Sequence, residues 1–384
     1  MIFDYIQTTA EQKDILDIAR QICEKELLPQ VPELDRTGTY PRDVAKKLFD
    51  AGLYALEVPE QYGGMGVSHE TNFLLAETLG YYDAGFGFTF HAGSMGAECI
   101  FMGGTEAQKQ FAANELLNGK TFAFCLTEPA CGSDAASIAT TATREGDAYV
   151  IKGNKCFISG AELADYFVVA TTIDRSLKYK GITLFLVEKE RGVQIAKHEE
   201  KMGIRLSPTN EVVFDDIRVP ADHMIGAEGR GWGIVMRNME VVRPTSMNFA
   251  TGIAMRAVDE AVNYAKVRTQ FGQPIIRLQG LNFLLAEMLE RTMVSHGALM
   301  NIAHLLDHGM PLNGMGSATK IYASQTASWV ASKAVEVLGG YGYMREYPVE
   351  KLMRDAKIFE IFEGTNQIQQ VVLGAMLRDR KSVV

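Results

Sequence analysis

The chain has 384 residues, 47% hydrophobic and 22% charged, with a formal net charge of −9. That length supports one large core or two to three domains. The acidic balance and the lack of any contiguous basic block argue against a nucleic-acid partner, and no apolar run approaches the roughly 18 to 20 residues needed to span a membrane.

The first residues, MIFDYIQTTAEQKDILDIARQ, have neither a basic n-region nor an apolar h-region and read as the start of a mature cytoplasmic protein. Residues 1–122 read as helical. Ala10 to Ala19 places apolar residues at helical spacing, with Thr9 positioned to cap. Val44 to Gly52 repeats the pattern and stops at a glycine. Pro59-Glu60-Gln61-Tyr62-Gly63-Gly64-Met65-Gly66 is a loop by its Pro and Gly content. His69 to Leu79 and Thr105 to Asn118 read as further helices.

The composition changes after Asn118-Gly119-Lys120. Over residues 123–230 the signals are strands: Phe122 to Leu126, Tyr149 to Lys152, Tyr166 to Thr171, Ile182 to Glu188 and Glu211 to Val219. They are β-branched or aromatic and separated by turn residues, with no helical segment between them. This predicts an all-β module with antiparallel connections rather than βαβ units. Over residues 231–384 the helical period returns in Gly252 to Val267, Leu278 to Asp307, Gly316 to Leu338 and the stretch Lys351 to Gln370, a pattern that reads as a four-helix bundle. The expected fold class is therefore α+β, with an N-terminal helical domain (1–122), a middle antiparallel β domain (123–230) and a C-terminal helical bundle (231–384).

The five cysteines, Cys23, Cys99, Cys125, Cys131 and Cys156, form no CxxC pair and are odd in number. They read as reduced thiols, not a disulfide frame or zinc site. Of the seven histidines, His304 and His308 are four apart, but no carboxylate or Cys pattern completes a site, and no metal is expected.

The stretch with the clearest chemistry is Lys351 to Gln370, a helix, a break at Phe362-Glu363-Gly364-Thr365, and a second helix. Glu363 follows an apolar run and precedes a glycine. Burial raises a carboxylate's pKa and a loop aims it, which makes Glu363 a general-base candidate; the plain alternative is a solvated Glu at a helix end. Phe124 to Asp134 is a strand entering a turn rich in small and hydroxyl residues, whose N–H and O–H groups can meet a polar ring edge or phosphate, or simply join strand to loop. Gly153 to Gly160 holds an aromatic before a hydroxyl residue, suited to a ring ligand or to a half-buried strand. Arg268-Thr269-Gln270-Phe271-Gly272 offers a guanidinium suited to phosphate, or a solvated Arg at a helix end. Glu336-Val337-Leu338-Gly339-Gly340 is a helix end that a phosphate or ribose can approach closely.

Tyr347-Pro348-Val349-Glu350-Lys351-Leu352-Met353-Arg354-Asp355-Ala356-Lys357, followed by Phe362-Glu363-Gly364-Thr365-Asn366-Gln367-Ile368-Gln369, resembles the C-terminal signature of the acyl-CoA dehydrogenase family. The other motifs are similar to that family's in the same order, and the resemblance covers essentially the whole chain. It implies FAD held without a GxGxxG loop, which the sequence lacks. It implies flavin contacts from Phe124, Leu126, Thr127, Gly132 and Ser133, from Phe157, Ile158 and Ser159, from Arg268, Gln270, Phe271 and Gln279, from Glu336, Gly339 and Gly340, and from Thr365 and Gln367. Phe157 stands where the family often has Trp, and still supplies an apolar wall. Glu336 stands where Gln is usual, which puts that side chain's contact in doubt but not the backbone of the glycines. Implied substrate contacts are Ser133, Glu240, Arg243, Phe362 and Gly364.

The implied reaction is α,β-dehydrogenation of an acyl-CoA thioester, with Glu363 as the base and electrons passed to an electron-transfer flavoprotein. Some family members carry the base just before the Arg of Met239-Glu240-Val241-Val242-Arg243; here that position is Val242, which cannot take a proton. The Gly339-Gly340 element implies a homotetramer, since in the family it reaches a neighbour's FAD. Phe86-Gly87-Phe88-Thr89-Phe90-His91 lies where the family lines the far end of the acyl pocket. Its aromatics suggest a short or flat acyl group, and His91 suits a polar tail or is a capped core histidine. Three alternatives stay open. One is an enoyl-CoA reductase of the acryloyl or crotonyl type, running the same chemistry in reverse. Another is an oxygen-using flavoprotein of this fold, against which stand the short length and the ending Lys381-Ser382-Val383-Val384, which is no peroxisomal tag. The third is a non-catalytic helical partner protein, against which stand the intact Thr127, Ser133, Arg268 and Glu363.

Overall fold

The computed structural model describes residues 6–379. The readings that rest on the first five residues and on Lys381 to Val384 lie outside the described residues.

Thr9 caps α1 (Ala10–Ile22): its hydroxyl accepts from the Gln12 N–H at 3.2 Å, and Gln12 Oε1 accepts from the Thr9 N–H at 3.0 Å. After α2 (Val31–Thr37) and α3 (Arg42–Asp50), the chain enters α4 (His69–Gly103). The sequence pattern ended this helix at Leu79, but it runs 35 residues. Every side chain from Thr71 to Phe90 is buried, so no polar face marks its course. Asp83 interrupts it with extended angles (φ −162°, ψ 113°), and its carboxylate accepts the Phe86 N–H at 2.8 Å, starting the second half as a cap. Thr105 and Gln108 repeat the reciprocal cap at α5 (Glu106–Leu117).

The middle of the chain builds an eight-stranded sheet in the order β6-β7-β3-β2-β4-β5-β8, with β1 (Phe122–Cys125) beside β4 (Tyr166–Thr172). The remaining strands are β2 (Thr141–Glu145), β3 (Ala148–Ser159), β5 (Ile182–Glu188), β6 (Gln194–His198), β7 (Thr209–Pro220) and β8 (Met224–Ile225). Most pairs are antiparallel, as expected, but β1 and β2 both pair with β4 in parallel. β2 and β6 escaped the sequence reading because they are mostly exposed and carry little apolar alternation. β3 shifts register against β7 between Lys155 and Ile158, and within this irregularity Phe157 takes φ 58°. The bulge turns that ring outward, 65% exposed, while Ile158 points into the sheet core.

The C-terminal part comprises α6 (Gly231–Val267), the short ribbon of β9 (Thr269–Gln270) and β10 (Gln273–Pro274), α7 (Gln279–Asp307), α8 (Met315–Leu338), α9 (Val349–Ala356) and α10 (Asn366–Asp379). α6 begins well before Gly252, where the periodicity becomes legible. Its first half contains Pro244 and a run of hydroxyl and amide residues that bond back one turn: Thr245 to the Val241 carbonyl at 2.9 Å, Ser246 to Val242 at 3.0 Å and Asn248 to Pro244 at 3.1 Å. α4 and α6 form the central packing. A Cβ on Gly80 would lie 2.5 Å from the Phe249 carbonyl oxygen, and one on Gly252 2.3 Å from that of Glu77, so glycine at both places lets the two backbones touch. Among the described residues no helix is long and apolar enough to cross a membrane, and all five cysteines are buried and unpaired.

A buried charge cluster joins the three parts. Lys351 on α9 donates to Asp83 at 2.6 Å and to Asp355, which also accepts the N–H of Ile204 from the loop between β6 and β7. Breaking a buried pair leaves a carboxylate unpaired and costs about 3–5 kcal/mol. Lys351→Met is therefore expected to lower the chemical-denaturation midpoint by an amount equivalent to that cost. A change below about 0.5 kcal/mol, the size of an ordinary surface substitution, would show that the cluster does not hold the parts together.

Candidate active site

Glu363 sits in the turn between Phe362 and Thr365, half-buried, with a left-handed backbone (φ 56°) followed by Gly364 at φ 85°. A non-glycine residue in that region persists only where surrounding contacts hold it. Here Arg243 Nε donates to the Glu363 carbonyl at 3.0 Å, and the Gln369 side-chain amide donates to the carbonyls of Glu363 at 3.4 Å and Gly364 at 3.1 Å. Thr365 caps α10 by accepting from the Ile368 N–H at 3.2 Å. Beneath the turn, Lys320 and Ser324 of α8 bond Asn366 Oδ1 at 2.7 and 3.2 Å, and Ser317 bonds Gln369 at 2.8 Å.

The electrostatics oppose one another. Burial pushes the Glu363 carboxyl up, and the charges of Arg243 and Lys320 pull it part of the way back. Burial and the neighbouring Arg243 bring Lys320 down to about 8. The outcome is a carboxylate above its ordinary range, with cations near enough to keep it ionisable. Such a group can take a proton from carbon at neutral pH. Arg243 was expected near it. Lys320 was not, since a lysine inside a helix pattern carries no sign of a partner elsewhere in the fold. Val242 is buried beside Arg243, and Glu240 is exposed one turn earlier.

The loop after β1 is held by a second buried pair. Lys155 of β3 donates to Glu128 at 2.7 Å and to the Leu126 carbonyl at 3.0 Å. Glu128 accepts the N–H groups of Ala139 at 2.6 Å and Thr140 at 3.0 Å, and the Cys156 N–H bonds the Thr127 carbonyl at 2.9 Å. The bulge of β3 is thus tied alongside Leu126-Thr127. Phe124, Leu126, Thr127 and Ser159 are half-buried; Gly132 and Ser133 are exposed. The Ile158 side chain is buried in the sheet core, which leaves its main chain for the expected flavin contact.

A further group lies at the other motifs. Arg268, at the end of α6, stands over the Tyr341 ring with its guanidinium carbon 5.8 Å from the centroid, and Tyr341 directly follows Gly339-Gly340. Gln270, Gln279 and Phe271 (89%) are exposed, and a Cβ at Gly339 or Gly340 would meet nothing within 4 Å. Among the described residues Arg268 makes no ion pair with a carboxylate. Glu336 is turned to Lys333 at 2.7 and 2.8 Å, so its charge is answered within its own helix. Phe362 packs on Phe88 with centroids 5.0 Å apart, and Gln367 is exposed.

A cavity of about 240 Å³ opens between the loop before α4, α4 itself and α6. Phe90 and His91 line it, as does Val241. Phe86 and Phe88 do not, correcting the expectation of three aromatics: Phe86 stacks on Tyr40 at 5.7 Å and Phe88 meets Phe249 at 6.0 Å. Glu57, Asn72 and Glu98 also face the cavity, and the sequence pattern singled out none of them. Phe249 in its wall meets Phe88, and Phe88 meets Phe362 beside Glu363 at 5.0 Å, so the base candidate is linked to this space through a short chain of packed rings.

Three family models match in order: the acyl-CoA dehydrogenase N-terminal domain over residues 9–120, the middle domain over 123–217 and the C-terminal domain over 229–377. The short-chain specific acyl-CoA dehydrogenase of Megasphaera elsdenii is 39% identical over 95% of this chain and 97% of its own. The caffeyl-CoA reductase-Etf complex subunit CarC of Acetobacterium woodii is 34% identical over 96% and 98%. The solved structure of butyryl-CoA dehydrogenase from Megasphaera elsdenii superposes with a TM-score of 0.94 at 38% identity, covering 97% of this chain and 99% of that one. On sequence and fold alike, the chain belongs to the acyl-CoA dehydrogenase family.

Proposed function

We propose that the protein is an FAD-dependent acyl-CoA dehydrogenase in which Glu363 is the base. The observation that carries this reading is the Glu363 turn itself: a half-buried carboxylate in a constrained left-handed conformation, with Arg243 bonded to its carbonyl and the charges of Arg243 and Lys320 acting on it. The residues present suit the cofactor. The outward Phe157 ring offers an apolar face beside the Leu126-Thr127 strand, Ser133 is exposed nearby in sequence, and Arg268 with the open Gly339-Gly340 turn suits a pyrophosphate. FAD, when bound, supplies the two-electron acceptor for the hydrogen leaving Cβ. Glu363 removes the α-proton and holds it on a carboxylate oxygen. The Glu363 N–H is a donor for the thioester oxygen, where negative charge develops as that proton leaves. Ser133, Phe362 and Gly364 are assigned to the substrate, with Arg243 holding the turn. The exposed Glu240 is the next base to test if Glu363 fails.

Electron-transfer flavoprotein is the proposed redox partner, supported by the relative whose name places it in an Etf complex. That relative is a reductase, so turnover in both directions belongs in the assay. A homotetramer is proposed from the exposed apolar groups Phe271 (89%), Phe283 (63%), Tyr343 (79%) and Leu377 (74%). The five unpaired thiols support the cytoplasm.

Glu363→Gln keeps shape and hydrogen bonding but cannot accept the proton. Flavin bleaching by butyryl-CoA should slow by about 10²- to 10⁴-fold, with FAD content unchanged; bleaching at the wild-type rate would put the base elsewhere. Because burial raises Glu363, the bleaching rate should rise with pH along an ionisation above the ordinary Glu value of about 4.3. Lys320→Met removes a cation that favours the ionised form and should move that limb to higher pH. An unmoved limb would exclude Lys320 from tuning the base. The purified protein should carry about one FAD per chain and scatter light as a tetramer, and a monomer with full FAD would contradict the shared-cofactor reading.

A further inference from the structure

The cavity near Glu363 ends in polar groups that the dehydrogenation does not use. Glu57, His91 and Glu98 each present one ligand atom, and the three atoms lie within 4.8 Å of one another. Three points so spaced can all be reached from a common centre at about 2.8 Å, the length of a charge-assisted N–H···O bond. His69 stands against the group, its Nδ1 3.2 Å from Glu57 Oε1. Those two atoms and Nδ2 of Asn72, a residue only 5% exposed, are buried without an aligned hydrogen-bond partner. No lysine or arginine lines the cavity. The remaining walls, among them Leu75, Leu79 and Phe249, are mostly apolar, with Tyr54 and Ser94 adding hydroxyl groups.

Glu77, 0% exposed, is answered by His296, and two further buried carboxylates are answered by lysines. Glu128 has Lys155, and Asp83 has Lys351. Glu98 has no cation within bonding distance among the described residues. Burial first, and then the charges of Glu57 and Glu363, push its carboxyl well up. A terminal methyl would leave these acceptors buried and unanswered, and a terminal carboxylate would be repelled by them. An ammonium group has three N–H donors and no acceptor, and its positive charge would oppose the burial and like charges that push the Glu98 carboxyl up.

We propose that Glu57, His91 and Glu98 form the subsite for a positively charged, hydrogen-bond-donating end group, so that the substrate class is an ω-ammonium acyl-CoA. The proposal rests on the dehydrogenase reading above, with the acyl chain lying in the cavity between this subsite and Glu363.

The test compares esters of equal length on the holoenzyme: methyl-, hydroxyl-, ammonium- and carboxylate-ended acyl-CoA in five- and six-carbon series, read by flavin bleaching. The ammonium ester of at least one length should exceed its methyl counterpart at least tenfold in kcat/KM, with the carboxylate ester lowest. In Glu57→Gln and Glu98→Gln the ammonium-to-methyl ratio should fall at least tenfold, a change that general loss of folded enzyme would not produce. A methyl or hydroxyl ester preferred at both lengths, or a ratio indifferent to both substitutions, overturns the subsite while leaving the dehydrogenase reading intact. Bleaching by no ester at all overturns both. One equivalent of zinc found in the purified holoenzyme by elemental analysis, and lost in Glu98→Gln, overturns the organic cation in favour of a metal.

Discussion

Everything in this fold is positioned relative to one buried cation. Lys351 lies between Asp83 of the N-terminal part and Asp355 of its own helix, and Asp355 reaches the Ile204 N–H of the middle part. Charges this deep are tolerated only when each is answered, so the cluster admits little play. Asp83 is also where α4 breaks and restarts, which fixes the phase of the half that carries His91 and Glu98. Arg354 repeats the arrangement nearer the surface, pairing with Asp35 and Glu350 and donating to the Met202 carbonyl. The helix bearing Lys351 and Arg354 leads through the 3-10 helix Lys357–Glu360 to Glu363. Anchoring that helix against both other parts therefore sets where the base emerges.

Glu363 shows how conformation and charge are set separately. Its backbone angle is imposed by bonds to its carbonyl and to that of Gly364, none of which touches the carboxylate. Its charge is set by burial against Arg243 and Lys320. Arg243 takes part in both, and so links the shape of the turn to the acidity of its side chain. Pro244 immediately follows it on α6 and lacks the N–H that would bond the Glu240 carbonyl. α6 nevertheless continues through this point, with side chains of the next residues bonded to carbonyls one turn back.

The same rule of compensated charge builds the loop after β1. Glu128 and Lys155 together satisfy two main-chain N–H groups and one carbonyl, and hold the loop against the bulged strand. That bulge is why an aromatic side chain faces outward from a sheet whose neighbouring residue, Ile158, is core. The apolar face at Phe157 and the donors at Thr127 are therefore products of one irregularity in β3 and one buried ion pair, not of local sequence preference.

By itself the sequence determined what depends on near neighbours and on ordered motifs. The cap at Thr9, the strands at Phe122, Tyr166 and Ile182, the break at Phe362 to Thr365 and the absence of a proton acceptor at Val242 are all legible, because each is a relation within a few residues. The course of α4 was not, since a helix buried on every side has no polar stripe to reveal its period. β2 and β6 were not, since mostly exposed strands lack apolar alternation. Tertiary structure alone decided that Lys320 and Arg243 meet at Glu363, and that Phe86 and Phe88 belong to the core while Phe90 faces a cavity. It also decided that Glu57 joins His91 and Glu98. His91 and Glu98 are two turns apart on α4, but Glu57 comes from the loop before that helix, and Arg243, Lys320 and Glu363 come from α6, α8 and the turn before α10, relations that no spacing along the chain encodes.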